Sequence, residues 1–210
     1  MENINEKYCN DLKIKKQNVL NKITCVILTR DEEMYIQQCI ESIIRCVDKI
    51  IIVDTGSIDS TLSIISDYDS DKIDLYFFKW NNNFSEVRNY AISKVDYGWV
   101  FFIDADEVLD EKMDYQSLHD YLKGFENNKY MKHLVLSPVI IDVGTEQRHK
   151  NIHRIFLKND DLYYFGTVHE QIRSKKNEIK VINTKIKLFH YGYLKQVILK
   201  KDKYKRNLEL

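Results

Sequence analysis

The feature that most constrains this chain is an apolar run that ends on carboxylates. Trp99-Val100-Phe101-Phe102-Ile103 leads without a break into Asp104-Ala105-Asp106-Glu107. A run with no polar alternation has no face to give to water, so it reads as a strand covered on both sides. Ile23–Leu28 (ITCVIL), Lys49–Asp54 (KIIIVD) and Ile73–Lys79 (IDLYFFK) are further strands. Helical patterns lie between them. Ile36, Cys39, Ile40, Ile43, Ile44 and Val47 share one face of a helix expected over Asp31–Val47. Thr61–Ser66 starts a second helix, and Phe84, Val87, Ala91 and Val95 mark a third. This alternation predicts an α/β fold whose first half, residues 22–110, is Rossmann-like with a mostly parallel sheet.

After residue 110 the rhythm changes. A helix is expected over Tyr115–Phe125. Strand-like pieces follow at Leu134–Asp142, Ile152–Leu157, Val168–Ile172, Ile179–Ile182 and Ile186–Tyr191, without helices between them. Residues 111–193 therefore read as a mixed, β-rich half. Residues 1–21 read as a polar lead-in, and 194–210 (LKQVILKKDKYKRNLEL) as a helix without a closing cap, the expected start of a further extension.

Composition removes several classes. The chain has 210 residues, 44% of them hydrophobic, which excludes a disordered chain. Lys+Arg and Asp+Glu number 32 each, and a net charge of zero argues against a general nucleic-acid binder. No apolar window reaches membrane-spanning length, and the polar N-terminus lacks a signal-peptide core. Cys9, Cys25, Cys39 and Cys46 form no C-x-x-C pair and are expected as packed free thiols. Together these point to a cytoplasmic protein. No G-x-G-x-x-G, G-x-x-x-x-G-K-[ST] or G-x-S-x-G occurs, so dinucleotide, P-loop and hydrolase-elbow chemistry are not indicated.

In open α/β sheets ligands sit beyond the carboxyl ends of the strands. Asp104 and Asp106 lie there, two residues apart. A bare D-x-D is usually an acidic turn, but after a buried strand the two carboxylates can converge on Mn²⁺ or Mg²⁺, which prefer oxygen ligands and bridge phosphates. Asp54 ends the second strand, where it can accept hydrogen bonds from a base or ribose. Ser57 or Asp59 suits a helix cap after it, and Ser85 or Asn83 suits the next one. Arg88 reads either as a surface ion pair with Glu86 or Asp59, or as a fork holding the loop carboxylates or a phosphate. In the second half, His153, His169 and His190 lie beside aromatic and apolar residues; His169-Glu170 is no H-E-x-x-H site, because position 173 is Arg.

Taken in order, ITCVILTRDEE, IIIVDTGSIDST, KWNNNFSEVRNYA and WVFFIDADE resemble glycosyltransferase family 2 with the GT-A fold, over roughly residues 22–193. Bacterial members with F-S-x-x-R-N-x-A, G-x-V-H-E and H-x-G-Y are the most similar, among them sublancin-type peptide S-glycosyltransferases and lipopolysaccharide-core glucosyltransferases. The late motifs stand here as Gly166–Glu170 and His190–Tyr193. The resemblance implies inverting, metal-dependent transfer of a hexose, Glc or GlcNAc, from a UDP-sugar. It implies that Thr29 and Glu32 line the nucleotide pocket with Arg88 in support, that Asp54 contacts the nucleoside and Asp104 the ribose or sugar. Asp106 then coordinates Mn²⁺ or Mg²⁺, His190 contacts the metal or diphosphate, and His169 lies on the donor side. Family members commonly carry an E-D pair for the base. None occurs in the second half here, and Glu170 is the carboxylate in its place.

The acceptor implied is a peptide or protein side chain, with a glycan or lipid-linked saccharide as the alternative. A sugar nucleotidyltransferase would want a Gly-rich basic loop after the first strand, where TRDEEM is acidic. A non-catalytic nucleotide-sugar-binding domain of a larger protein is the other rival. The zero charge is also uneven. Residues 1–145 carry 16 Lys+Arg against 25 Asp+Glu, and residues 146–210 carry 16 against 7. The basic half, with Lys175, Lys176, Lys200 and Lys201, either keeps the chain soluble or faces an anionic acceptor, the donor diphosphate or a membrane surface in peripheral contact.

Overall fold

The apolar runs form the centre of a nine-stranded mixed sheet. The structure is a computed structural model, and it describes residues 22–68, 71–192 and 194. The lead-in, Cys9, Tyr193 and the expected helix beyond Leu194 lie outside the described residues. Strands β1 (Ile23–Thr29), β2 (Lys49–Asp54), β3 (Ile73–Phe77) and β4 (Trp99–Asp104) pair in parallel in the order β3-β2-β1-β4. Their side chains divide by parity, as the two-residue period of a strand requires. Cys25, Ile27, Ile50, Ile52, Phe101 and Ile103 face one way. They pack under α1 (Ile36–Ile43) and α4 (Tyr115–Lys123), while the short α2 (Thr61–Ser66) adds Ile65. Val26, Ile51, Val53, Val100 and Phe102 face the other way, against Val87, Ala91 and Ile92 of α3 (Phe84–Ser93). Phe102 is fully buried, and truncating such a ring costs ~3–5 kcal/mol.

The sheet continues into the second half without a break. β8 (Ile155–Leu157) pairs antiparallel with both β4 and β6 (Leu134–Asp142). β6 pairs in parallel with β11 (Lys180–His190), and β11 pairs antiparallel with β5 (Glu107–Leu109). The two-residue β7 (Arg148–His149) leans on β6. A separate hairpin, β9 (Leu162–Phe165) and β10 (Gln171–Ser174), closes over the α3 side with Leu162, Tyr164 and Ile172.

Several boundaries differ from expectation. The first helix begins at Ile36 rather than Asp31, because residues 31–35 serve a loop interaction: Asp31 is left-handed (φ 54°) and its Oδ1 accepts from Ile58 N at 2.8 Å. No strand covers Val168–Ile172; Val168 is 42% exposed in a loop, and the strand begins at Gln171. Ile179–Ile182 and Ile186–Tyr191 are one strand, β11, whose register with β6 shifts between Asn183 and Lys187. Cys25, Cys39 and Cys46 are buried free thiols, as expected. Among the described residues no helix is long and apolar enough to cross a membrane.

Candidate active site at the strand ends

A cleft of about 390 Å³ opens at the carboxyl ends of β1 and β4. Thr29, Glu32, Arg88, Asp104, Asp106, His169, Glu170 and His190, far apart in sequence, all line it. Asp54 does not. It is 1% exposed, and its Oδ1 accepts from Gly56 N at 2.8 Å and Ser57 N at 3.0 Å, while Oδ2 accepts from the Ser57 hydroxyl. Its neighbour Thr55 lines the cleft instead. Asp54 therefore shapes the turn from beneath, whereas the sequence pointed to a nucleoside contact.

The acidic loop after β1 is stitched to the turn after β2. Asp31 N donates to Ser57 Oγ at 3.0 Å, Glu32 N to Thr61 Oγ1 at 2.7 Å and Glu33 N to Asp59 Oδ2 at 3.1 Å. Asp59 also accepts from Thr61 N at 2.9 Å, but the cap position of α2 is held by Ser60, whose side chain makes no capping bond, so neither Ser57 nor Asp59 is the N-cap. Burial raises the Asp59 carboxyl, but hydrogen bonds from Thr61 and Glu33 hold it below its ordinary value. Thr29 is 3% exposed, and its Oγ1 is buried with no hydrogen-bond partner, a group available to a ligand in the cleft.

The turn after β4 is built differently, with long-range charge pairs. Asn83 caps α3, its Oδ1 accepting from Ser85 N and Glu86 N, and this sets the direction in which Arg88 leaves the helix. Arg88 lies over the rings of Phe102 and Tyr164, with its guanidinium carbon 5.1 and 5.3 Å from their centroids. Its Nη2 is 3.3 Å from Asp104 Oδ1 and its Nε 2.5 Å from Glu170 Oε1. It thus holds loop carboxylates rather than Glu86 or Asp59. Arg154 precedes β8 and meets the same carboxylate. Nη1 donates to Asp104 Oδ1 at 2.8 Å, and Nη2 donates to Asp104 Oδ2 and to Glu107 Oε1. Burial works against ionising Asp104, yet Arg154 and Arg88 hold its carboxyl far below the usual carboxylate range. Burial pushes Glu107 up to about 7, with Asp104 and Asp106 adding to the rise and Arg154 opposing it. Glu107 Oε2 accepts from Asp104 N at 2.9 Å, which fixes the bend itself.

Asp106 lines the same cleft but is held by β11. Tyr191 N donates to its carbonyl at 2.9 Å, and the β5–β11 register sets His190 opposite Glu107. His190 Nε2 then stands 3.5 Å from Asp106 Oδ1. Burial pulls the imidazole down, but Asp106 and then Asp142 outweigh it and carry it up to about 9. The Asp106 carboxylate suits Mn²⁺ or Mg²⁺, and the His190 nitrogen beside it is a ligand that Mn²⁺ accepts more readily than the harder Mg²⁺. Among the described residues no group of three His, Cys, Asp or Glu side chains is arranged for a metal. Asp106 and His190 therefore fit a cation whose remaining positions come from diphosphate oxygens and water. Both oxygens of Asp104 are engaged by the two arginines.

The loop between β9 and β10 forms the far wall. Gly166 has φ 110°, which side chains rarely adopt, and starts the turn that brings His169 and Glu170 to the cleft. His169 is itself left-handed (φ 57°). Thr167 O accepts from Phe84 N at 3.2 Å, tying the loop to the start of α3. His153, singled out with the other histidines, is turned away: its Nδ1 accepts from Ile172 N at 3.0 Å. It lines a shallow groove with Lys175 and Lys176 that shares no residue with the cleft. The sequence did not single out Arg154, Glu107 or Asp142. Only Arg154 carried a signal, as a cation set directly against the buried run Ile155–Leu157.

A family model described as Glycosyl transferase family 2 matches residues 24–198. The SPbeta prophage-derived glycosyltransferase SunS of Bacillus subtilis is 29% identical over 193 residues, covering 90% of this chain and 44% of that protein. The lipopolysaccharide core biosynthesis glycosyltransferase LpsC of Rhizobium meliloti is 33% identical over 92 residues, covering 43% of this chain and 34% of that protein. The chain thus spans less than half the length of these relatives. Among solved structures, S. aureus TarS 1-349 in complex with UDP superposes with a TM-score of 0.59 at 16% identity, covering 81% of this chain and 60% of that one. The complex of the same protein with UDP-GlcNAc gives 0.56 at 18% identity, covering 81% and 58%. The sheet order, the strand-end cleft and the match across residues 24–198 agree: this chain belongs to glycosyltransferase family 2, with the GT-A fold.

Proposed function

We propose that this chain is an inverting glycosyltransferase that moves a hexose, Glc or GlcNAc, from a UDP-sugar to a hydroxyl or thiol of a peptide or protein. The observation that carries the reading is the division of labour after β4. Asp104 is neutralised by Arg88 and Arg154, while Asp106 and His190 face the same cleft as a donor pair for a divalent cation. The TarS complexes with UDP and UDP-GlcNAc support the donor class. The peptide-type acceptor rests on the resemblance to sublancin-type peptide S-glycosyltransferases, with SunS matching 90% of this chain against 43% for LpsC.

In this mechanism the nucleotide lies across the ends of β1 and β4, against Thr29, Glu32 and Thr55. Asp104, held in place by its two arginines and still lining the cleft, accepts a hydrogen bond from a ribose or sugar hydroxyl. Asp106 and His190 hold Mn²⁺ or Mg²⁺, which when bound offsets the charge that builds on the leaving diphosphate. Glu170, anchored at one oxygen by Arg88 Nε, takes the acceptor proton as general base. The acceptor then attacks the anomeric carbon from the face opposite UDP, the bond to the diphosphate oxygen breaks, and the configuration inverts.

The test is release of UDP from UDP-glucose and UDP-N-acetylglucosamine by the purified chain with Mn²⁺, without and with candidate peptide acceptors. Metal-stimulated release that peptide accelerates supports the reading. Tight binding of both donors with no turnover would identify a donor-binding module instead.

A further inference from the structure

His190 sits in β11 between two partner strands, opposite Glu107 of β5 on one side and Asp142 of β6 on the other. Its ring nitrogens therefore meet different groups. Nε2 is 3.5 Å from Asp106 Oδ1 at the cleft, and Nδ1 is 2.9 Å from Asp142 Oδ1 behind it. Asp142 is 3% exposed and does not line the cleft, so it cannot touch a donor there. Its other oxygen, Oδ2, is 2.7 Å from Nε2 of His149, which β7 carries on the outside of β6. One buried carboxylate is thus gripped by two histidines, one facing solvent and one facing the cleft. The strands fix this grip: Asp142 N donates to Gln147 O at 2.9 Å and Val143 N to His190 O at 2.9 Å.

We propose that Asp142 is a positioning residue for the divalent cation: it accepts the Nδ1 proton of His190 and so presents Nε2, beside Asp106 Oδ1, as the nitrogen ligand. This rests on the donor-and-metal reading above. A ligating imidazole keeps a single proton, on the nitrogen away from the metal, so a bound cation would take the place of the proton that Nε2 shares with Asp106. With the proton held toward Asp142, the lone pair lies on Nε2, the nitrogen at the cleft. A carboxylate behind a ligating histidine also strengthens the nitrogen as a donor and stops the ring from turning. His149, by engaging Oδ2, keeps the Asp142 carboxylate from rotating away from His190. Its side chain is 42% exposed, so it trims the arrangement from the surface rather than from the core.

The experiment is a Mn²⁺ titration of the full chain in the presence of UDP, followed by the electron paramagnetic resonance signal of free Mn²⁺. Asp142→Asn keeps an acceptor for the Nδ1 proton but loses the charge. Its Mn²⁺ affinity is expected to fall by about 10- to 100-fold, with metal-free UDP affinity unchanged. His149→Gln, a surface change, is expected to shift Mn²⁺ affinity in the same direction by less. Asp142→Asn binding Mn²⁺ within twofold of wild type would overturn this inference alone. No Mn²⁺ binding by the wild type would overturn the metal reading with it. The wild type gives a second readout that needs no core variant: with ¹⁵N-histidine and Cd²⁺, the His190 signal should show a protonated Nδ1 and a metal-shifted Nε2. A metal-shifted Nδ1 would overturn the proposal.

Discussion

Two turns close two parallel strands, each with an Asp at the strand end, and they do opposite things. After β2, Asp54 is satisfied within three residues by Gly56 and Ser57. After β4, Asp104 is satisfied by Arg88 and Arg154, 16 and 50 residues away. The first arrangement makes a rigid edge, which locks the acidic β1 loop through Ser57, Asp59 and Thr61. The second gathers charge from α3, from the start of β8 and from the β9–β10 loop around the cleft. A carboxylate answered by its own turn builds a loop; one answered from distant elements builds a site.

The comparison can be broken in several ways. The largest effect is expected at Glu170. Glu170→Gln keeps a partner for Arg88 Nε but removes the base, so kcat should fall by about 10²–10⁴-fold with the donor KM nearly unchanged, as read in UDP-release kinetics. Equal turnover would move the base elsewhere. Arg154→Met tests the charge clamp. It leaves Glu107 buried beside an under-neutralised Asp104, at a cost of about 3–5 kcal/mol in denaturant unfolding. A loss below ~1 kcal/mol would mean that the clamp is dispensable. Asp54→Ala should cost about 1–3 kcal/mol by the same measurement, because Gly56 N and Ser57 N lose their acceptor, while the donor KM stays within about threefold. A KM change of tenfold or more at unchanged stability would restore Asp54 as a nucleoside contact.

The smallest effect is expected at Asp59, and it follows from sign. Its folded-state carboxyl lies below its ordinary value, so its stabilising contribution is complete above the unfolded value near 3.8 and is lost as pH falls through the lower folded one. The Asp59→Asn protein should therefore lose less stability than wild type as pH falls through and below 3.8 in acid-unfolding curves. Parallel curves for the two proteins would contradict the assignment.

The sequence made the central strands legible because each is buried on both faces and needs no partner to be recognised. Trp99–Asp104 lies within one residue of its expected span for that reason. The edge pieces were hidden. Glu107–Leu109 has only three residues, and Leu162–Phe165 stood unassigned beside Val168, whose apolar side chain drew the expected strand into a loop. Site residues followed the same rule. Asp104, Asp106 and Arg88 sit in local motifs that drew attention in the sequence, and all three line the cleft. Arg154 was passed over for its neighbour His153, because its partners Asp104 and Glu107 lie 50 and 47 residues away in sequence. Asp142 was missed because its meaning arises only when β6, β7 and β11 align. Spacing along a chain reports the contacts made within a turn, and tertiary charge pairs leave no such period.

The central proposal is that Asp106 places a divalent cation for donor turnover, while Asp54 only shapes its own turn. The direct measurement is UDP release from a UDP-hexose across a Mn²⁺ series by wild type, Asp106→Ala and Asp54→Ala. Metal-stimulated release is predicted for wild type and Asp54→Ala, with loss of stimulation in Asp106→Ala. Unchanged stimulation in Asp106→Ala would contradict the account.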